Sequence, residues 1–442
     1  MPHPNCPTFS VPVGIPVYGI AFTLSNQLLL GGGGGGGRTG VKNKLISYKV
    51  EPRRKDIEEE AVYEVPEGED APMCLDTHPT EHVVVAGINS SEEAIKQNKN
   101  ESCRVFNILE AQLDLKKTLR TVDSQNIDDY QKVVRFSEDG SLFATGSSEG
   151  SVRVFKYDSL ELYCDPIRAV ENDEILDVDI SLEKDKLVCV AGNALQLVNL
   201  RGRHTGKVMQ TIPPAKLDKK KRQLQLRSFR YGRMYTKDYG FAVLNGVGKS
   251  SGSFLCKVDA YTLETQSIVK ISNKPVTAFC LSREGGVVVA ATADYSIIIF
   301  DATTLRTLYT LKDAHGFSIT CLALSPDRKF LASGSADNTC RIVVLPTQFP
   351  GGAGAINPLY TVFFAVLLAF VVLWLTTIFN YGTNDNTILF NALRPSPAKG
   401  NSATTSVIAS PTSAAAFPAY SSITKQVHLD ETNSKSDNKD EL

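Results

Sequence analysis

Several kinds of residue are scarce in this chain. Its 442 residues include one tryptophan, four methionines and six scattered histidines, and its nine cysteines form no C-x-x-C pair. Such a set argues against a zinc site, which needs closely spaced Cys and His ligands. The 47 basic and 48 acidic side chains leave a formal charge of −1. A nucleic-acid-binding protein normally carries a basic excess, so no nucleic-acid partner is expected.

Catalytic motifs are also missing. The P-loop pattern G-x-x-x-x-G-K-S/T does not occur, because Gly248-Lys249-Ser250 is preceded by Val243 where the first glycine should stand. The next residues, 254–258, have the pattern of a strand, whereas a P-loop is followed by a helix. No nucleophile–base pairing stands out either. The sequence therefore gives no sign of an ATPase, a GTPase or a hydrolase.

The cysteines and the N-terminus indicate a reducing compartment for most of the chain. The nine cysteines are odd in number, several lie in apolar runs such as Leu187–Val190, and none follows Cys340. This usage predicts a cytosolic location for residues 1–345. Residues 1–6 lack a charged n-region and an apolar core, so no cleavable signal peptide is expected.

One long hydrophobic run lies late in the sequence. The 21 residues from Leu359 to Phe379 contain no charge. At about 1.5 Å per residue a helix of this length would match a hydrocarbon core of about 30 Å. Trp374, Tyr360 and Tyr381 provide the aromatic residues expected near the two interfaces. The run predicts a single transmembrane helix over residues 358–380.

The C-terminus has the sequence of a retrieval signal. The chain ends in Lys439-Asp440-Glu441-Leu442, the tetrapeptide that a retrieval receptor recognises in the lumen of the endoplasmic reticulum (ER). About sixty residues rich in Ser, Thr, Ala and Pro precede it, and we expect them to form a disordered spacer. The predicted order is a cytosolic domain (1–347), a linker (348–357), the span (358–380) and a lumenal tail (381–442). This order describes a single-pass type II protein of the ER membrane.

The cytosolic part is built from a repeat. Residues 315–345 contain a His-Gly pair, a strand, a Ser-Pro-Asp turn, a second strand ending in Ser-Gly-Ser, an Asp and a third strand, which resembles a WD-repeat blade. Clear copies lie at 133–155 and 276–300, and weaker copies can be placed at 14–50, 72–107, 174–199 and 226–259. Seven copies with little helical periodicity predict an all-β, seven-bladed WD-repeat β-propeller. We expect a strand near 10–13 to close the ring by pairing with the last blade.

A run of seven glycines, Gly31–Gly37, interrupts the first repeat. The run lies between the apolar strand 28–30 and the strand 45–48, which predicts a loop inside the first blade. It has two explanations that composition cannot separate. The run is either a tolerated low-complexity insertion, or a loop whose backbone carbonyls wrap a cation or whose amides approach another molecule closely.

The architecture and this loop together resemble one family. A propeller, one C-terminal span and a glycine loop continuing into Thr39-Gly40-Val41-Lys42-Asn43-Lys44 are similar to the ER-anchored guanine-nucleotide exchange factors for the Sar-family GTPase that starts COPII coat assembly. The lumenal retrieval signal is similar to that of fungal members. The chain departs from the family in a longer and purer glycine run, and in Lys42 where some members carry a proline.

The resemblance implies a function and a set of site residues. It implies an exchange factor that promotes GDP release without bond-making chemistry, with the GTPase and COPII coat proteins as partners. Val41 and Asn43 would be inserted beside the nucleotide site, with Pro72 and His315 on the same face. His315 also fits the histidine of the blade motif, where its role would be structural. The loop would hold a potassium ion through backbone oxygens of these residues: Gly33, Gly35, Gly37, Thr39 and Gly40.

A function of another class remains open. The family is expected to include relatives that bind the GTPase or coat proteins as ER scaffolds without exchanging nucleotide. The Gly40–Asn43 stretch favours the exchange factor. A propeller enzyme is disfavoured because no active-site constellation is visible.

Overall fold

A computed structural model describes residues 6–37, 40–171, 173–218, 220, 222–248, 251–349 and 362–377. Within these ranges, 28 strands form seven four-stranded antiparallel sheets. Each sheet follows the order of the chain from one side to the other, except the sheet that contains both the first and the last strand. The prediction of a seven-bladed WD-repeat propeller is confirmed.

The strands are numbered along the chain, and each blade has strands a to d from the centre outwards. The first strand of the chain is β1 (Thr8–Pro12). The first three blades contain β2 (Val17–Phe22), β3 (Leu28–Gly32), β4 (Lys44–Glu51), β5 (Asp56–Glu64); β6 (Cys74–Thr77), β7 (Val83–Gly87), β8 (Cys103–Ile108), β9 (Leu113–Leu119); β10 (Gln131–Phe136), β11 (Leu142–Ser147), β12 (Ser151–Lys156) and β13 (Ile167–Arg168). The remaining four contain β14 (Asp177–Ile180), β15 (Lys186–Val190), β16 (Leu195–Asn199), β17 (Val208–Ile212); β18 (Leu224–Tyr231), β19 (Tyr239–Gly246), β20 (Ser253–Asp259), β21 (Thr265–Ser272); β22 (Val276–Leu281), β23 (Val287–Thr292), β24 (Ile297–Asp301), β25 (Thr307–Leu311); and β26 (Ile319–Leu324), β27 (Phe330–Ser335), β28 (Thr339–Val344).

The helices of the propeller are short. They are α1 (Glu92–Lys96), α2 (Pro214–Leu217) and two single 3₁₀ turns (Gly202–His204 and Met234–Thr236). Contacts divide the chain into two units, 1–363 and 364–442. A helix covers residues 362–377, and its side chains are exposed. Among the described residues, no helix is both long and apolar enough to cross a membrane. The outer ends of the predicted span, most of the linker and the tail with Lys439–Leu442 lie outside the described residues.

The ring closes between its first and last strands. Strand β1 pairs antiparallel with β28, with Phe9 opposite Ile342 and Val11 opposite Cys340. This pairing confirms the closure expected near residues 10–13. The N-terminal strand β1 therefore supplies the outer strand of blade 7. Without it the blade would have three strands and an open edge at β28.

The hydrophobic core lies between the blades. Each pair of neighbouring blades shares one cluster of buried side chains, seven clusters in the described part of the chain. The second strand of a blade is covered on both faces, and Val83–Gly87 is buried at every position. This burial explains why such strands are continuous apolar runs, with no alternation of polar residues. All nine cysteines are free thiols, and six of them are buried.

The strand order decides which loops share one end of the propeller. Because the strands alternate in direction, the b–c connections and the d–a connections lie at the same end. We call this end the loop face. It includes the connections 33–43, 65–73 and 312–318. The chain leaves the last strand, β28, at the opposite end of the propeller. The loop face is therefore the end away from the point where the chain continues to its C-terminus.

Candidate functional site

The glycine run is divided between a strand and a loop. Gly31 and Gly32 belong to β3, opposite Leu45 and Lys44 of β4, so the loop expected over the whole run begins only at Gly33. A Cβ on Gly32 would lie 1.9 Å from the carbonyl oxygen of Pro16, closer than any real contact. Glycine at this position is required by the close approach of the neighbouring backbone.

Asn43 fixes the start of the loop to its end. Its Oδ1 accepts a hydrogen bond from the amide of Gly35 at 2.9 Å, and its Nδ2 donates to the Gly35 carbonyl at 2.9 Å. Gly33, at φ +144°, runs so close that a Cβ there would be 2.2 Å from Asn43 Oδ1. The side chain of Asn43 is buried, with 9 % exposure. In this conformation the loop uses Asn43 as an internal clamp.

A second support comes from the 65–73 connection. Asn43 Nδ2 also donates to the carbonyl of Glu69 at 2.8 Å, and Asp70 Oδ1 accepts from the amide of Gly36 at 3.1 Å. Glu69 in turn lies 2.7 Å from the buried guanidinium of Arg104 in blade 2. Burial raises the pKa of Asp70, and the amides that donate to it oppose this shift. The loop of blade 1 is thus held by blade 2.

Between the clamp and the glycines, the loop exposes Val41. Its side chain is 37 % exposed. The neighbouring Lys42 and Lys44 lie 2.7 and 3.3 Å from the carboxylate of Glu64. Their hydrogen bonds lower the pKa of Glu64, Lys42 first. Of the two residues expected to be inserted into a GTPase, Val41 is presented to solvent and Asn43 is enclosed.

Pro72 lies beneath the glycine run and is buried. A Cβ on Gly31 would stand 2.8 Å from Pro72 Cβ, so the small residue in the strand makes room for the proline ring. Pro72 therefore belongs to the same structural unit as the loop. Its predicted contact with a partner stays a prediction.

His315 lies on the loop face but is enclosed within blade 7. Its Nε2 lies 2.8 Å from Ser333 Oγ, and its Nδ1 lies 2.9 Å from Thr339 Oγ1 and 3.3 Å from Asp337 Oδ2. Burial lowers the pKa of His315, and the Asp337 carboxylate opposes this shift. These contacts tie strands β27 and β28 to the preceding connection, which is the structural role that the blade motif indicates.

The residues expected to hold potassium are placed unequally. The amide of Gly33 donates to the Pro16 carbonyl, and the Gly35 carbonyl accepts from Asn43. Gly37 and Gly40 are exposed, and Thr39 lies outside the described residues. No group of three or more His, Cys, Asp or Glu side chains suited to a metal occurs where the structure describes the chain. A cation at the loop would depend on backbone oxygens and on a carboxylate such as that of Asp70.

Sequence reasoning missed the residues that support the loop from the 65–73 connection and from blade 2. Asp70 and Glu69 are separated from the glycines by more than thirty positions, and Arg104 is further still. Local patterning carries no signal for such contacts, because they form only when neighbouring blades pack. The one visible hint was an acidic pair, Glu69-Asp70, between Gly68 and Ala71-Pro72.

The fold and this loop define a WD-repeat propeller with a modified first blade. The family model "WD domain, G-beta repeat" matches residues 128–156 and 305–343, which include most of blade 3 and most of blade 7. Among solved structures, Raptor from Chaetomium thermophilum is similar over 77 % of this chain and 29 % of that one, with a TM-score of 0.59 and 12 % identity. That likeness shows the fold alone.

Similarity in sequence is more specific. The chain is 24 % identical to the guanine nucleotide-exchange factor SEC12 of Candida glabrata over 345 residues, which is 76 % of this chain and 72 % of the relative. It is also 24 % identical to the putative guanine nucleotide-exchange factor SED4 of the same organism, over 84 % of this chain and 35 % of that one. The protein is a distant homologue of the SEC12 and SED4 guanine nucleotide-exchange factors, fungal ones included.

Proposed function

We propose that this protein is a guanine-nucleotide exchange factor that promotes GDP release from a Sar-type small GTPase at the ER membrane, where it starts COPII vesicle formation. The observation that carries the proposal is the clamped glycine loop, which presents Val41 on one face of a propeller homologous to SEC12. The protein regulates a GTPase and needs no bond-making chemistry. COPII coat proteins are further partners that we propose.

In this proposal, nucleotide exchange results from tighter binding of the nucleotide-free GTPase than of the GDP-bound GTPase. A rigid protrusion that fits the GTPase only when the nucleotide site is empty favours the empty state and so promotes release of GDP. A shift from about 1:99 to 99:1 requires about 10⁴-fold tighter binding of the empty state. Ordering the loop in advance lowers the entropy that is lost on docking. In this proposal Val41 makes the contact, while Asn43 and Asp70 hold the backbone that carries it.

A potassium ion would fit the same loop. Gly33 and Gly35 offer backbone free of side chains, and the Gly35 backbone lies close to the Asp70 carboxylate. Hard oxygen donors of this kind suit an alkali or alkaline-earth cation better than a transition metal. When bound, such an ion would supply positive charge around which the carbonyls can converge. We propose Gly33, Gly35, Gly37, Thr39 and Gly40 as its backbone ligands.

We also propose that residues 358–380 anchor the protein in the ER membrane, with the propeller cytosolic. The support is the uncharged run Leu359–Phe379, in which the described helix 362–377 lies. The terminal Lys439-Asp440-Glu441-Leu442 would then be lumenal and available to the retrieval receptor.

The decisive experiment measures release of fluorescent GDP from a Sar-type GTPase by the full chain in detergent, in potassium and in sodium buffer. We expect acceleration, with a higher rate in potassium. Val41→Ala should lower the rate by about tenfold, the cost of one contact of 1–2 kcal/mol. Val208→Ala is the matched control, because Val208 is similarly exposed, at 41 %, on the outer strand of blade 4. Binding of the GTPase without faster release would favour the scaffold; equal rates in the two salts would refute the potassium proposal.

A further inference from the structure

The centre of the propeller contains a cavity of about 490 Å³. Its lining comes mainly from the innermost strands of all seven blades. The cavity lies apart from the glycine loop and plays no part in the exchange mechanism above. Its volume falls within the range of small-molecule sites, which is about 300–1,000 Å³.

A ring of displaced residues lines the end of the cavity nearer the loop face. The innermost strands of blades 1, 3, 5, 6 and 7 each contain a register shift that leaves one residue unpaired. Met73 and Leu176 occupy the corresponding positions in blades 2 and 4, immediately before β6 and β14. Bulges of this kind turn a side chain away from the regular face of a sheet. The five unpaired residues are Tyr18, Lys132, Arg227, Thr277 and Thr320.

The positive charge of this ring of displaced residues is concentrated on blades 3 and 5. Lys132 and Arg227 are its cationic members, and Arg135 and Arg230 lie further along the same two strands. Among the described residues of the lining, no other blade contributes a cation, and the one carboxylate is that of Asp177 in blade 4. The cations therefore converge on one side of the cavity.

These cations are only partly neutralised. Lys132 lies 2.5 Å from Glu174, and Arg230 lies 2.6 Å from Asp177. In the part of the chain that the structure describes, no carboxylate comes within ion-pair distance of Arg135 or Arg227. Burial lowers the pKa of Arg227, and the carboxylates of Asp177 and Glu174, beyond ion-pair distance, oppose this shift.

Two further carboxylates act on these cations. Asp179 is paired with Arg233, which lies outside the lining, and the other is Asp76. Asp76 accepts hydrogen bonds from the amides of Phe136 and Thr77, at 2.8 and 3.1 Å, and it offsets part of the charge of Arg135. Burial raises the pKa of Asp76, and Arg135 opposes this shift. Because Asp179 is paired with Arg233, the four cations outnumber Asp76, Glu174 and Asp177 even when all three are ionised.

The lining also holds polar groups without partners. Arg135 Nε and Thr277 Oγ1 are buried and make no hydrogen bond within the described protein. Arg227 donates to the carbonyl of Thr277, which brings its guanidinium next to that hydroxyl. Water can accept hydrogen bonds from such groups, but it does not neutralise the charge of a half-buried guanidinium such as that of Arg135 or Arg227.

We propose that this central cavity binds a small anion that carries phosphate groups. The guanidinium groups of Arg135 and Arg227 offer forked donors that match the oxygens of a phosphate. The Thr277 hydroxyl supplies a further donor on the neighbouring strand beside Arg227. The enclosing inner strands favour a small molecule over a polypeptide chain. This proposal does not depend on exchange activity, since none of its residues belongs to the glycine loop.

Calorimetric titration of the full chain in detergent tests the proposal. The probes are inorganic pyrophosphate and inositol hexakisphosphate, with citrate as a polyanion that lacks phosphate. We expect one saturable site per chain for at least one phosphate probe and at least tenfold weaker binding of citrate. A response to pyrophosphate alone would indicate an inorganic or very small ligand, whereas a response to both would indicate an organic phosphate.

Substitutions distinguish binding in the cavity from binding at the protein surface. Arg227→Gln should weaken binding by about tenfold or more, the effect of losing a charge-assisted hydrogen bond. Thr277→Val should weaken binding several-fold without lowering the melting temperature, because the hydroxyl makes no hydrogen bond within the described protein. If Arg227→Gln fails to fold, Thr277→Val still tests the proposal. Arg53→Gln, on an exposed turn, is the matched control and should change nothing. Absence of saturable binding, equal binding of citrate, or binding that both cavity variants leave intact would overturn the proposal.

Discussion

At the scale of single residues, Asn43 shows how one side chain can set the shape of a loop. One amide group makes three hydrogen bonds, two with Gly35 and one with the carbonyl of Glu69. The two bonds with Gly35 satisfy backbone groups of the glycine-rich segment, and the third ties the loop to the 65–73 connection. The family resemblance implies contact between Asn43 and a partner, which stays a prediction, and in the structure the Asn43 side chain makes internal hydrogen bonds.

Replacing Asn43 therefore tests two effects at once. Asn43→Ala removes three hydrogen bonds, so we expect a loss of about 1–3 kcal/mol in the free energy of unfolding and faster hydrogen exchange at the amides of Gly33–Gly36. GDP release from the GTPase should slow in parallel. Slow release with unchanged amide protection would instead assign Asn43 a direct contact. Asn107→Ala provides a comparison on strand β8 of blade 2, away from the loop, and should leave loop exchange and GDP release unaltered.

At the scale of the structural element, the seven glycines do different things. Gly32 is needed because the Pro16 carbonyl occupies the place of a side chain, while a Cβ on Gly36 would meet nothing within 4 Å. Composition cannot separate these positions, because both are glycines in one unbroken run. The run is therefore neither a uniform linker nor a uniform binding loop.

The two glycines predict opposite outcomes for the same substitution. Gly32→Ala forces the backbone apart, and overpacking of this kind costs about 1–3 kcal/mol. Gly36→Ala removes freedom from the unfolded chain without a clash, so its effect should lie between zero and a stabilisation of about 1 kcal/mol. Denaturant unfolding of the two variants checks the difference. Equal destabilisation by both would mean that the contact with Pro16 does not form.

At the scale of the whole molecule, a strand from the N-terminus completes the last blade. Phe9 of β1 is buried in the cluster between blades 7 and 1, with 8 % exposure. Without β1, strand β28 would present an open edge and this cluster would lose part of its cover. The ring therefore depends on contacts between residues more than 300 positions apart.

Removing the Phe9 ring should weaken the whole propeller. We expect Phe9→Ala to cost about 3–5 kcal/mol, the usual range for a buried phenylalanine, and to lower the melting temperature of the full chain. Phe317→Ala is the control, because Phe317 is 56 % exposed on the loop face. A melting temperature unchanged by Phe9→Ala would show that the ring closes without β1.

The sequence by itself determined the repeat, the number of blades and the place of the unusual loop in the first blade. The closing strand was only an expectation, and its pairing with the last blade is seen in the structure. The repeat, the blade number and the loop position depend on local patterns, because turn residues and short apolar runs indicate the same turns and strands in every blade. Homology to the exchange factors also rests on sequence, because it extends over most of the chain.

Only the tertiary structure decided how the loop is held and what surrounds the central cavity. The clamp on Asn43, the support from Asp70 and the enclosure of His315 depend on contacts between segments that are distant along the chain. The presence of Lys132 and Arg227 in the lining of one cavity depends on the closed ring and on one bulge in each of their strands. No local pattern encodes such distances, because they are fixed only when seven blades pack against one another.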